Sequence, residues 1–176
     1  MRELADEARI RRFLRGLGRA AESETVVYLA GGATAVLEGW RGTTVDVDLR
    51  IEPESDAILR ALSRLKDELA INVELATPAD FIPLPAGWEE RSPFVAREGS
   101  VTFRHFDPVS QALAKLERGH DRDLDDVQAM LDRGLVDRVA LRAAFAEIES
   151  ELHRFPAIDP AAFRRRVEAQ VARDEG

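Results

Sequence analysis

The stretch that decides the fold runs Thr25-Val-Val-Tyr-Leu-Ala-Gly-Gly-Ala-Thr34 and resumes at Val45-Asp-Val-Asp-Leu-Arg-Ile51. The first part is a short run rich in β-formers that breaks at Gly31-Gly32 and feeds a short helical segment, Ala33 to Trp40. The second part alternates strictly. Val45, Val47, Leu49 and Ile51 share one face, and Asp46 and Asp48 share the other. This predicts a strand with one buried side and one carboxylate-bearing side. Ile71 to Leu75 repeats the pattern, with Ile71, Val73 and Leu75 opposite Asn72 and Glu74.

Each feature has a chemical reading. Paired glycines ahead of a helix let the backbone approach a phosphate, where free N–H groups favour negative charge. Two aspartates separated by one strand residue point the same way, about 6–7 Å apart, so one divalent ion fits between them. Magnesium takes one or two protein carboxylates together with substrate phosphates. Glu74, on a neighbouring strand, is placed to deprotonate an attacking hydroxyl or to help a second metal do so. Singly, a Gly-Gly pair is often only a turn and an Asp-x-Asp strand only a solvated face. Together they say more. Three converging carboxylates repel by roughly 1 kcal/mol or more per pair unless a cation compensates.

Working outward, residues 3–20 place Leu4, Ile10, Phe13, Leu14 and Leu17 at helical spacing. Pro53 is expected to open a helix reaching about Leu69 through Ile58, Leu59, Leu62 and Leu65. Residues 82–92, with Pro83, Pro85 and Gly87, read as a loop. Pro93 to Ala96 and Val101 to Phe106 read as a hairpin turning at Glu98-Gly99-Ser100. From Pro108 the pattern is helical, punctuated by Gly119, Gly134, Pro156 and Pro160. The class is α+β: a mixed sheet flanked by helices over residues 1–106, then a C-terminal helical bundle over 107–176.

Composition sets outer bounds. With 45% apolar and 33% charged residues the chain is globular, and with no cysteine it has no disulfide, thiolate metal site or thiol nucleophile. No apolar run is long enough to span a bilayer and no signal peptide is visible, so a cytoplasmic location and no membrane partner are expected. A net charge of −8 gives no overall field for nucleic acid. Local basic patches remain: Arg9, Arg11, Arg12, Arg15 and Arg19 near the start, and Arg164, Arg165 and Arg166 in the tail, each also readable as the wet face of a helix. His105, His120 and His153 have no partner at zinc-ligand spacing. Asp121, Asp123 and Asp125 mimic a calcium loop, but the sixth position is Asp126 and the twelfth Asp132, which excludes it.

Tyr28-Leu-Ala-Gly-Gly-Ala-Thr34 followed by Thr43-Thr-Val-Asp-Val-Asp-Leu49 resembles the active-site signature of the DNA polymerase β-like nucleotidyltransferase superfamily. Asp80-Phe-Ile-Pro83, Gly87-Trp-Glu-Glu-Arg-Ser92, Leu113-Ala-Lys-Leu-Glu-Arg118 and Arg122-Asp123 are similar to a compact subgroup of its AbiEii/MenT-like branch, over roughly residues 25–131. That branch includes toxins of toxin–antitoxin pairs. The resemblance implies that Gly31 and Gly32 contact a triphosphate and that Asp46 and Asp48 ligate magnesium or manganese. It implies Glu74 as third carboxylate, with Asp80 as a rival. Lys115, helped by Arg118, would neutralise triphosphate charge, and Asp123 or Asp126 would orient the lysine or the substrate. One departure stands out: many members carry serine directly after the first glycine, where this chain has Gly32, so that hydroxyl contact falls to Thr34 or is missing.

The leading expectation is therefore an enzyme that moves a nucleoside monophosphate from an NTP to a hydroxyl of RNA, such as a tRNA 3′ end, or of a protein. It would serve as the toxin of a toxin–antitoxin pair, with an antitoxin protein as partner. If the acceptor is tRNA, the arginine-rich opening helix is the expected backbone contact. The rival expectation is a non-catalytic module that binds nucleotide or a partner. In that case the tail stripe Leu141, Phe145, Ile148 and Leu152 could serve as a dimer surface or simply cap the core.

Overall fold

A computed structural model describes residues 3–174. The chain divides into two compact units, Met1–Thr77 with Ser92–Phe106, and Pro78–Arg91 with Asp107–Gly176. The first unit holds, in chain order, β1 (Ala5–Asp6), α1 (Glu7–Ala20), β2 (Thr25–Ala30), α2 (Gly31–Leu37), β3 (Thr43–Thr44), β4 (Asp46–Glu52), α3 (Asp56–Glu68), β5 (Asn72–Glu74), β6 (Phe94–Glu98) and β7 (Val101–His105). Five strands form one mixed sheet in the order β5-β4-β2-β7-β6, and β1 pairs separately with β3. Central β2 runs antiparallel to β4 and parallel to β7. At the edges, β5 is parallel to β4 and β6 antiparallel to β7.

Strand β4 shows why the alternation matters. Val47, Leu49 and Ile51 are buried, while Asp46, Asp48 and Arg50 are only half-buried. The buried set joins Ile10, Phe13, Leu14 and Leu17 of α1, Val27 and Leu29 of β2, Ile58 and Leu65 of α3, and Phe103 of β7 in one apolar cluster. Because successive strand side chains point to opposite faces, α1 and α3 cover the side of the sheet away from Asp46 and Asp48. The carboxylate face is thus held by a core it does not share.

Element ends depart from the periodicity. Val45 lies at a bend before β4 and is 54% exposed, and Leu75 just past β5 is 51% exposed. Neither has a ladder partner to fix its direction, so the alternation stops short of both. The opening helix starts at Glu7, capped by the Asp6 carboxylate, which accepts the Arg9 backbone N–H at 2.8 Å. The residues before it pair with β3, and Leu4 is exposed. Helix α3 starts at Asp56 rather than Pro53, because the Ser55 hydroxyl accepts the Ile58 N–H at 3.3 Å and satisfies a first-turn donor.

One buried polar chain ties α2 to the sheet. The Thr34 hydroxyl donates to the Leu29 carbonyl at 3.2 Å and lies 3.0 Å from His105 Nδ1. His105 Nε2 lies 3.0 Å from Glu38 Oε1. His105 is 4% exposed, and burial lowers its pKa from the usual value, opposed by Glu38 and reinforced by Arg11.

The second unit is helical: α4 (Pro108–Arg118), α5 (Asp121–Asp132), α6 (Arg138–Ile148) and α7 (Pro160–Val171). Proline at the start of α4 and α7, each preceded by a capping aspartate, gives both helices a defined origin. Residues 78–91, placed by the sequence with the first part of the chain, pack here instead. The Ala86 N–H donates to Glu147 at 2.6 Å, and Arg91 donates to both oxygens of Asp107 at 3.1 and 2.8 Å. The tail stripe faces inward. Leu141, Phe145, Ile148 and Leu152 are buried within the unit, and Phe145 meets Phe163 edge-on at 4.9 Å, so the stripe serves as core.

Two outcomes follow. Phe103 is fully buried in the sheet core, so Phe103→Ala should lower unfolding free energy by about 3–5 kcal/mol, read from denaturant melts. A histidine with a depressed folded pKa binds its proton later than the unfolded chain does. Stability should therefore be fully present above about pH 6.5 and be lost as pH falls through the folded value. In melts at stepped pH, His105→Asn should flatten that slope; an unchanged slope would show that other groups carry it.

Candidate functional site

The sheet register assembles a row across three strands. Ala30 of β2 lies opposite Asp48 of β4, and Asp48 lies opposite Glu74 of β5. One step along, Asp46 lies opposite Asn72. Asp46, Asp48 and Glu74 therefore share one face of the sheet, with Glu74 the most exposed. Asn72 lies within the group: its Nδ2 donates to Asp46 Oδ1 at 2.5 Å and to Glu74 Oε1 at 3.3 Å. A neutral amide between two carboxylates lessens the repulsion expected of that face. Among the described residues no three His, Asp or Glu side chains gather closely enough to hold a metal by themselves.

The glycine turn is fitted against this row. Gly31 has φ +59°, the left-handed region, and a Cβ there would lie 2.5 Å from Asp48 Oδ2. A Cβ on Gly32 would lie 1.9 Å from the Thr44 hydroxyl oxygen, which itself donates to the Asp46 carbonyl at 2.9 Å. Both positions need glycine, for different reasons: Gly31 for its backbone angle and the carboxylate beside it, Gly32 for space. This also accounts for the missing serine at position 32, since Thr44 occupies the volume its Cβ would need. Thr34, expected to supply the substitute hydroxyl, is 2% exposed, and that hydroxyl bonds to Leu29 and His105 inside the fold.

The remaining expected residues lie in the second unit: Lys115, Asp123 and Asp126 are buried, and Arg118 is exposed. The Lys115 ammonium, 6% exposed as a residue, donates to Asp126 Oδ2 at 2.7 Å and lies 3.9 Å from Asp123 Oδ1. Arg118 donates to both oxygens of Asp123 at 3.0 and 2.6 Å. Asp123 and Asp126 are 6% and 2% exposed, so the Lys115 pairs are interior, whereas Arg118 closes on Asp123 from an exposed position. Asp80, the rival third carboxylate, is exposed at the end of the short turn Pro78–Asp80 in this same unit. The structure thus groups Gly31, Gly32, Asp46, Asp48 and Glu74 in one unit and Lys115, Arg118, Asp123 and Asp126 in the other.

Several polar residues were not singled out from sequence. The alternation sets Asn72 beside Glu74 and opposite Ile71 and Val73, and nothing in it says that Asn72 bonds two acids. Asp107 is fully buried, accepting from Arg91, from the Val109 and Ser110 N–H groups at 3.2 and 3.3 Å, and from the Ser110 hydroxyl at 2.7 Å. The Asp107-Pro108-Val-Ser110 start carried a helix-cap signal. The Arg91 partner did not show, being sixteen residues away in the chain.

A family model described as "Nucleotidyltransferase of unknown function (DUF6036)" matches residues 8–159, spanning the glycine turn, the carboxylate row and the Lys115 cluster. No curated protein and no solved structure matches the chain. With most of its length matched, the chain belongs to this nucleotidyltransferase family.

Proposed function

We propose that the protein transfers a nucleoside monophosphate from an NTP to a hydroxyl of RNA, such as a tRNA 3′ end, with Asp46 and Asp48 as the metal-holding pair. The observation that carries this reading is the contact between the glycine turn and the carboxylate row, since a Cβ at Gly31 would lie 2.5 Å from Asp48. Backbone suited to a phosphate and an acid suited to a cation then adjoin, which is what a bound triphosphate requires. Two half-buried carboxylates on one strand face fit a magnesium-type ion, which takes few protein ligands and completes its shell with phosphates and water. When bound, such an ion supplies positive charge to the triphosphate oxygens.

The chain's own groups account for the rest. Gly31, half-buried and without a side chain, offers backbone beside Asp48 where phosphate approaches, while Gly32 is buried against Thr44. Glu74, exposed and one strand over, accepts the proton of the acceptor hydroxyl. That oxygen bonds to the α-phosphorus as the bond to the bridging oxygen breaks, and pyrophosphate leaves with the electron pair. Asn72 holds Asp46 in orientation through its 2.5 Å bond. Roles for Lys115, Arg118, Asp123 and Asp126 in handling triphosphate charge rest on the superfamily resemblance. So do the AbiEii/MenT-like placement, the toxin role and an antitoxin partner. A second reading, a nucleotide-binding module without turnover, draws on the failure of a third acid to join Asp46 and Asp48 among the described residues.

Incubation with each α-labelled NTP, cellular RNA and cellular protein should label one RNA class and release pyrophosphate, and a chelator should stop it. Asp48→Asn should lower the rate by about 10²–10³-fold or more with the thermal midpoint little changed. Nucleotide binding without any pyrophosphate release would favour the non-catalytic module, and label on protein alone would move the acceptor. Glu74→Gln should depress kcat by about 10²-fold with little effect on KM. An unaltered kcat would remove Glu74 as the base.

A further inference from the structure

Two arginine clusters stand out in a chain of net charge −8, and the structure separates them. In the tail, Arg164 pairs with Glu149, and Arg166 donates to the Leu116 and Glu117 carbonyls, so that cluster holds helices together. On α1, Arg9 pairs with Glu3 and Arg11 with Glu7 at 2.7 and 2.8 Å. Arg12, Arg15 and Arg19 are exposed, and among the described residues none has a hydrogen bond or ion pair. Spaced by three and four residues, they form one row about 10 Å long on the outer face of the helix.

The surroundings of the row differ from those of an ordinary wet face. Solvated helices commonly set acids three or four residues from their bases. Here the residues so spaced from Arg15 are Arg11, Arg12, Gly18 and Arg19, and those from Arg12 are Ala8, Arg9, Arg15 and Gly16; the acid so spaced from Arg19, Glu22, lies past the helix end. Like charges at these spacings weaken a helix by about 0.2–0.5 kcal/mol per pair. A polyanion laid along the row would reverse the sign of that term. The apolar face of α1 is closed, with Ile10, Phe13 and Leu17 fully buried, so the helix has nothing to insert into a lipid surface.

We propose that Arg12, Arg15 and Arg19 grip the phosphate backbone of a folded RNA, the body of the acceptor whose end is extended at Asp46 and Asp48. This rests on the transferase reading above. The row faces outward from α1, and α1 covers the side of the sheet opposite the two aspartates. At least a helix diameter, about 10–12 Å, separates the row from the sheet. A short oligonucleotide engaged at the carboxylates does not reach it, whereas a folded RNA can engage both.

The test is binding of a fluorescent tRNA transcript to the full chain without NTP, by anisotropy across a salt series. Affinity should fall with salt. Arg15→Glu with Arg19→Glu should weaken binding by about ten-fold or more and make the salt slope shallower by roughly 1.5. The control pair Arg142→Glu with Arg165→Glu changes net charge equally and should stay within about two-fold. Equal loss in both pairs would overturn the row in favour of a general field. Binding insensitive to Arg15 and Arg19 would overturn the assignment of RNA to this row. Equal affinity for a single-stranded DNA of the same length would overturn the assignment to RNA. Circular dichroism checks folding, and Arg15→Gln with Arg19→Gln repeats the test if the double glutamate variant unfolds. Binding that follows the arginines, with no transfer from any NTP, would sink the transferase reading and leave the surface standing. Transfer to another acceptor without tRNA binding would do the reverse.

Discussion

Two glycines, one pressed against β4 and the other against β3, set the geometry on which the first unit depends. For β4 to lie beside β2 with Asp48 opposite Ala30, the chain must turn from β2 into α2 without a side chain on either residue of the turn. Gly31 then sits against the Asp48 carboxylate and Gly32 against the Thr44 hydroxyl. A methyl at Gly32 would collide with Thr44, and relief would have to come from moving β3 or α2. The crowding that packs the turn also brings bare backbone next to an acid. Packing and chemistry share one constraint.

Buried polar chains hold this arrangement from behind. Thr34 and His105 join α2 to the end of β7, and His105 continues to Glu38 just past the end of α2. A hydroxyl and an imidazole both inside the fold satisfy each other, which removes the desolvation penalty either would incur alone. They also take Thr34 away from any phosphate. In the second unit the same rule acts on full charges. Lys115 and Asp126 are almost wholly buried at 2.7 Å, and Arg118 closes on Asp123. Removing one member of such a pair leaves an uncompensated charge, so these residues are held in place by one another.

Alternation made much of the first unit legible. Period-two patterning in residues 46–51 and 71–74 fixed which side chains face the core, because a strand must turn successive residues to opposite sides. It failed at Val45 and Leu75, where the ladder ends and the constraint lapses. The opening helix, the hairpin and the helical second half were visible from spacing and from Gly and Pro punctuation. The first turn of α3 lies later than Pro53 suggests because Ser55, a residue capable of capping, takes the N-cap position. The two-residue pair of β1 and β3 is too short to leave a period.

What the sequence determined by itself is local: which residues alternate, where helices are capped, and that Asp46 and Asp48 point the same way. Those follow from bonded geometry and nearest neighbours. Only the tertiary structure decided that Asp48 lies between Ala30 and Glu74, that Asn72 bonds Asp46 and Glu74, and that Arg91 reaches Asp107. It also decided that the Lys115 pairs are interior and that, among the described residues, three arginines of α1 have no partner while those at 164 and 166 do. Each depends on which distant segment arrives alongside, a choice made by the burial of the whole apolar face and not by any short stretch of chain.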